Sequence, residues 1–131
     1  MSLTHVHERT ITPSDATAVT KQKTITSGAG HPISESIPAG SADLLVAWTC
    51  DITALKSLFI ASDQDLLIET NESASADAAD RLFLKANQPV DWMENDVMDH
   101  PFSEDVTVLY VTNSGDDDAQ LEIRSLEDAT P

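Results

Sequence analysis

Large aromatic side chains are scarce in this chain, at 5% of its 131 residues. Any core it builds must therefore be thin and aliphatic. A single cysteine, Cys50, excludes an intramolecular disulfide. It sits in an apolar run with no histidine in its segment, which marks a small buried hydrophobe rather than an activated thiol. Glycine occurs only four times, each where a turn is expected. Positive charge is the largest deficit: 7 Lys and Arg stand against 23 Asp and Glu, a net charge of −16. Phosphate backbones and anionic membranes repel such a chain, so the expected partners include no nucleic acid and no membrane. No run is apolar enough to span a bilayer, and the N-terminus lacks the layout of a signal peptide. We therefore expect a soluble protein made in the cytoplasm. A Gly-x-Ser-x-Gly motif, a phosphate loop and a dinucleotide fingerprint are all missing, which sets aside phosphate chemistry and hydride transfer.

What is present reads as strands. Residues 3–12 and 17–27 are extended, Thr-rich and separated by the turn Pro13-Ser14-Asp15. Strands this polar are edges, or arms whose apolar partner lies on another subunit. After the break at residues 28–32, Ile33–Ile37 resumes, and Asp43–Cys50 is the most continuously apolar run, expected to be a central strand buried on both faces. Asp51 opens a short helical turn as its cap. Residues 57–61 and 66–70 follow as strands, then a polar loop at 71–80 expected to be mobile. Residues 82–86 and 90–93 are expected to pair with each other, and 94–103 forms a long acidic loop.

The clearest signal is Glu104–Leu126, which reads as a β-hairpin: a β-branched arm over 106–112, turn formers at 113–118, and an alternating arm over 119–124. Asp51–Glu69 resembles Asp105–Arg124, which predicts two related hairpins, one in each sheet. With about nine or ten short strands and no helical period, the expected fold is all-β: a two-sheet antiparallel β-sandwich, jelly-roll-like, in a single domain over 1–131. Residues 1–30 form its polar edge strands or an oligomerisation arm.

Three groups could carry chemistry. His5 and His7 share one side of a strand and could share a metal, although only Glu8 is near them in sequence; a solvated edge strand is the expectation. Asp116–Asp118, with Asp63 and Asp65, could bind Ca²⁺, but EF-hand spacing is lacking and soluble turns are expected. Trp92, Glu94, Asp96, Asp99, His100 and Phe102 place acids and rings in one loop, the combination that contacts or cleaves sugars. They are the candidate ligand or partner surface; no catalytic residue, metal or cofactor is expected.

One pattern goes beyond composition. Ile37–Ser41, Ser57–Asp63, Leu82–Ala86, Trp92, Pro101-Phe102, Asp105–Asn113 and Leu126–Asp128 resemble small β-rich accessory proteins encoded among bacteriophage and prophage structural genes. The resemblance covers about the last two thirds of the chain. It implies a non-enzymatic homo-oligomer, a trimer or ring, on a virion capsid or tail beside other virion proteins. The alternative is a carbohydrate- or Ca-binding β-sandwich module.

Overall fold

The computed structural model describes residues 2–73 and 76–128. Its strands are β1 (Leu3–Ile11), β2 (Val19–Ser27), β3 (Ala29–Gly30), β4 (Ile33–Ile37), β5 (Leu44–Val46), β6 (Leu55–Ser62), β7 (Leu66–Thr70), β8 (Arg81–Leu84), β9 (Val90–Met93), β10 (Leu109–Thr112) and β11 (Ala119–Glu127). Every pairing is antiparallel. Among the described residues there is no helix, so none is long and apolar enough to cross a membrane.

Two sheets face each other across one core. The first runs β4-β11-β6-β9, with β3 continuing the β4 edge along β11; the second runs β5-β10-β7-β8. Alternation aims Ile37, Leu58, Ile60, Leu121 and Ile123 inward from the first. Val46, Leu66, Ile68, Leu109 and Val111 meet them from the second. Trp48 and Phe102 close one end, their ring centroids 5.7 Å apart. The arrangement is sandwich-like and the core aliphatic, as the shortage of aromatics requires.

Several expectations are corrected. The 104–126 segment is not a hairpin: β10 and β11 lie in different sheets, and so do β6 and β7. Each repeat unit therefore crosses between the sheets, and neither sheet holds a complete unit. Residues 113–118 can span the roughly 10 Å between packed sheets, and the fully buried Asn113 anchors the crossing by donating to Ile37 O (3.0 Å) and Asp117 O (2.9 Å). Strands β8 and β9 also part company, joined near their ends only by a bridge between Lys85 and Gln88. The run at 43–50 is not a central strand. Only Leu44–Val46 forms a strand, at a sheet edge: Asp43 takes a positive φ of 51°, and after Val46 the chain leaves the ladder and touches it again only at Cys50, bridged to Val106. Asp51 does cap a turn, accepting from Thr53 N at 3.0 Å, but no helix follows. In the 71–80 loop expected to be mobile, Ala74 and Ser75 lie outside the described residues.

Strands β1 and β2 form a separate two-stranded sheet with residues 3–11 opposite 27–19. Opposed residues share a side, so Leu3, His5, His7, Arg9 and Ile11 face the same way as Ile25, Lys23, Lys21 and Val19. Half of this face lies on the outer side of the β4-β11-β6-β9 sheet, where Leu3 and Ile25 pack with Met93 and Leu126.

Candidate functional site

The polar half of that contact is the most organised side-chain cluster among the described residues. Ser57 points outward near the start of β6, on the face opposite to the core-facing Leu58 and Ile60. Its hydroxyl is fully buried under the hairpin. His7 Nε2 lies 2.6 Å from Ser57 Oγ and His5 Nδ1 lies 2.9 Å from the same atom. On its other side, His7 Nδ1 meets Asp91 Oδ1. Arg9 completes the cluster: Nε donates to Asp91 Oδ2 at 2.8 Å, and Nη2 donates to Asp91 O (2.7 Å) and Asp96 Oδ2 (2.9 Å).

Donor counting orders these contacts. A carboxylate only accepts, so His7 donates from Nδ1 to Asp91, and in the Nδ1–H tautomer its Nε2 accepts. Ser57 then donates its one proton to His7, and His5 donates from Nδ1 to Ser57. In that tautomer the chain of donors runs from His5 to Ser57 to His7 to Asp91. Burial, the neighbouring His7 and then Arg124 push the His5 pKa down. The Arg9 hydrogen bond holds the Asp96 carboxyl below its ordinary value.

Serine, histidine and carboxylate in this order are the parts of an acyl-transfer relay. Their setting differs from one. Ser57 lies inside a strand paired on both sides, with its hydroxyl sealed beneath two imidazoles. Amides in such a strand serve the ladders and are not aimed at a substrate oxygen. The arrangement acts as a clasp that fixes the hairpin to the body.

The sequence-predicted residues separate. Trp92 is half-buried against the core, its Nε1 donating to Met98 O at 2.9 Å, with His100 edge-on at 5.0 Å between ring centroids. Phe102 is buried against Trp48. Glu94 pairs with Lys56 at 3.0 Å, Asp96 pairs with Arg9, and Asp99 is exposed. The three rings gather while the three acids disperse. His7, expected on a solvated strand, is buried because its strand lies on a sheet face. No group of three or more His, Cys, Asp or Glu able to hold a metal occurs among the described residues. Three of the turn acids expected to be soluble serve the backbone: Asp63, Asp65 and Asp118 accept from Gln120 N (2.8 Å), Ala86 N (2.9 Å) and Ala39 N (2.9 Å).

Ser57 and Asp91 escaped sequence reasoning, although each carried a signal. Both sit at outward positions of strands whose alternate residues are apolar, where a sheet face awaits a cover. Beside the clasp, an open hollow of about 450 Å³ lies between β1 and the sheet, with Phe59 and Arg124 among its lining residues. No protein-family model matches the chain, and no curated protein and no solved structure matches it either.

Proposed function

We propose that this protein is a non-enzymatic structural domain of jelly-roll topology that assembles with copies of itself, as the virion accessory proteins its sequence resembles do. The topology reading is supported by the strand order. Numbered one to eight, strands β4 to β11 pair first with last, second with seventh, third with sixth and fourth with fifth, the nesting of one long hairpin rolled on itself.

The observation that carries self-assembly is the far half of the hairpin. Beyond Arg9 and Lys23, no side-chain hydrogen bond or ion pair ties it to the body among the described residues. Ile11 and Val19 stand opposite each other there, 64% and 49% exposed, on the side that elsewhere packs against the sheet. A two-stranded ribbon with both edges unpaired and an apolar end is built to be covered. Light scattering across a concentration series is expected to report a mass above one chain; a strict monomer at high concentration overturns the proposal.

A second reading, glycan binding, is favoured by Phe59 on the floor of the hollow beside Arg124 and Asp91. A glycan at 100 times its dissociation constant stabilises a fold by about 2.7 kcal/mol, so a thermal-shift panel including Ca²⁺ separates the two readings.

A further inference from the structure

We infer that the uncovered part of the outer face of the β4-β11-β6-β9 sheet binds an uncharged oligosaccharide, laid across Phe59 with sugar units in two adjoining hollows. The inference deepens the glycan reading above and rests on it. Strand register builds the floor. Arg124, Phe59 and Asp91 stand side by side on β11, β6 and β9, and two residues further along β6 the small Ala61 pairs with Glu122. These positions alternate with the core-facing Leu58, Ile60 and Ile123, so they face outward. The hairpin walls the hollow of about 450 Å³ at one end of this floor. A second hollow, of about 380 Å³, opens over Ala61 toward Pro89 and Gln120. Both are lined by Phe59, whose ring is half-buried, and each is large enough for a small ligand.

The charges beside the ring are already engaged. Arg124 donates to Ile33 O (2.7 Å), Ile123 O (2.9 Å) and Glu122 Oε2 (2.9 Å), and Asp91 holds Arg9 and His7. Neither can turn to an ionic ligand without giving up these bonds. The acids here with no ion pair among the described residues, Glu8 and Asp63, lie in different hollows, and both repel an anion. Neutral polar atoms remain at the two ends. With Nδ1 turned to Ser57, His5 keeps Nε2, and the Asn87 side-chain amide has no partner among the described residues. An aromatic face between fixed polar groups, with a free ring nitrogen at one end and an amide at the other, matches a chain of sugars. The C–H face of one unit stacks on Phe59, while hydroxyls, which both donate and accept, meet His5 and Asn87. A wholly apolar ligand would take water from these groups and return no hydrogen bond.

Isothermal titration calorimetry tests this with the neutral tetrasaccharides of glucose, mannose, galactose, xylose and N-acetylglucosamine, their monosaccharides, and sialyllactose as the anionic comparison. At least one neutral tetrasaccharide should bind, at least about tenfold more tightly than its monosaccharide, because it fills two hollows instead of one. Phe59→Ala should weaken that binding at least about tenfold, and Phe59→Tyr, which keeps the ring, by less than about threefold. Ala61→Leu fills the second hollow and should bring the tetrasaccharide close to the monosaccharide. Circular dichroism confirms folding, and should Phe59→Ala not fold, Ala61→Leu decides the matter. Failure of every sugar to bind overturns the glycan reading itself. Binding that survives both Phe59→Ala and Ala61→Leu, gains nothing from chain length or is stronger for sialyllactose overturns only the uncharged chain across Phe59.

Discussion

Asn113 shows what a single residue contributes here. Its amide donates twice and its Oδ1 accepts from Gly115 N at 3.1 Å; Asn113 is fully buried, and so is the Ile37 carbonyl it reaches. Asn113→Ala leaves the buried Ile37 O without its donor and should cost about 1–3 kcal/mol in urea denaturation, the cost of one orphaned buried group. A loss well under about 1 kcal/mol would mean that water replaces the side chain. Cys50 is buried beside the Glu127 carboxylate, and burial first, then that charge, pushes its thiol up to about 12. At pH 8 the thiolate is on the order of one part in 10⁴. Iodoacetamide should therefore leave the native protein unmodified by mass spectrometry and label it once denatured. His5 sets a pH response. Its folded pKa lies below the ordinary 6.5, so on unfolding it takes up a proton. Stability is complete above pH 6.5 and falls as pH drops from there toward the folded value. The urea midpoint should decline in that window for wild type and less steeply for His5→Gln, which keeps a donor for Ser57; equal slopes would remove His5 as the cause.

At the scale of elements, the contrast between β11 and β5 is the test. Strand β11 is paired on both edges and Leu121 is completely buried, so Leu121→Ala should cost about 2–5 kcal/mol through lost transfer energy and the cavity left behind. Strand β5 is an edge strand with Leu45 turned outward, and Leu45→Ala should change stability by under about 0.5 kcal/mol. Equal costs would restore the expectation of a central strand at 43–50. The hairpin is held differently from either strand. Its apolar tether is small, so the clasp around Ser57 and Asp91 carries much of its docking.

For the whole molecule, charge dominates. A net −16 on a small domain repels itself, and the ion pairs seen here are mostly exposed and individually weak. Screening should therefore raise the thermal midpoint between about 0.05 and 1 M NaCl, where the Debye length shrinks from roughly 14 to 3 Å. A falling midpoint would show that the Arg9 cluster outweighs the general repulsion.

The sequence by itself determined the all-β class, the absence of helices among the described residues, most strand positions and the aliphatic character of the core. These follow from local alternation, turn residues and composition, which act within a few residues. Burial of Cys50 was equally legible, since its neighbours are apolar. Pairing was not. Alternation aims side chains inward or outward but is silent about which strand lies alongside, so β6 with β7 and β10 with β11 each looked like a hairpin while each crosses between sheets. The rings at 92, 100 and 102 lie close together in sequence, but that Phe102 turns to the core depended on the distant Trp48. The clasp lay furthest out of reach. Ser57 and Asp91 stand 50 and 84 residues from His7, and only the laying of the ribbon across the sheet brings them within hydrogen-bond distance.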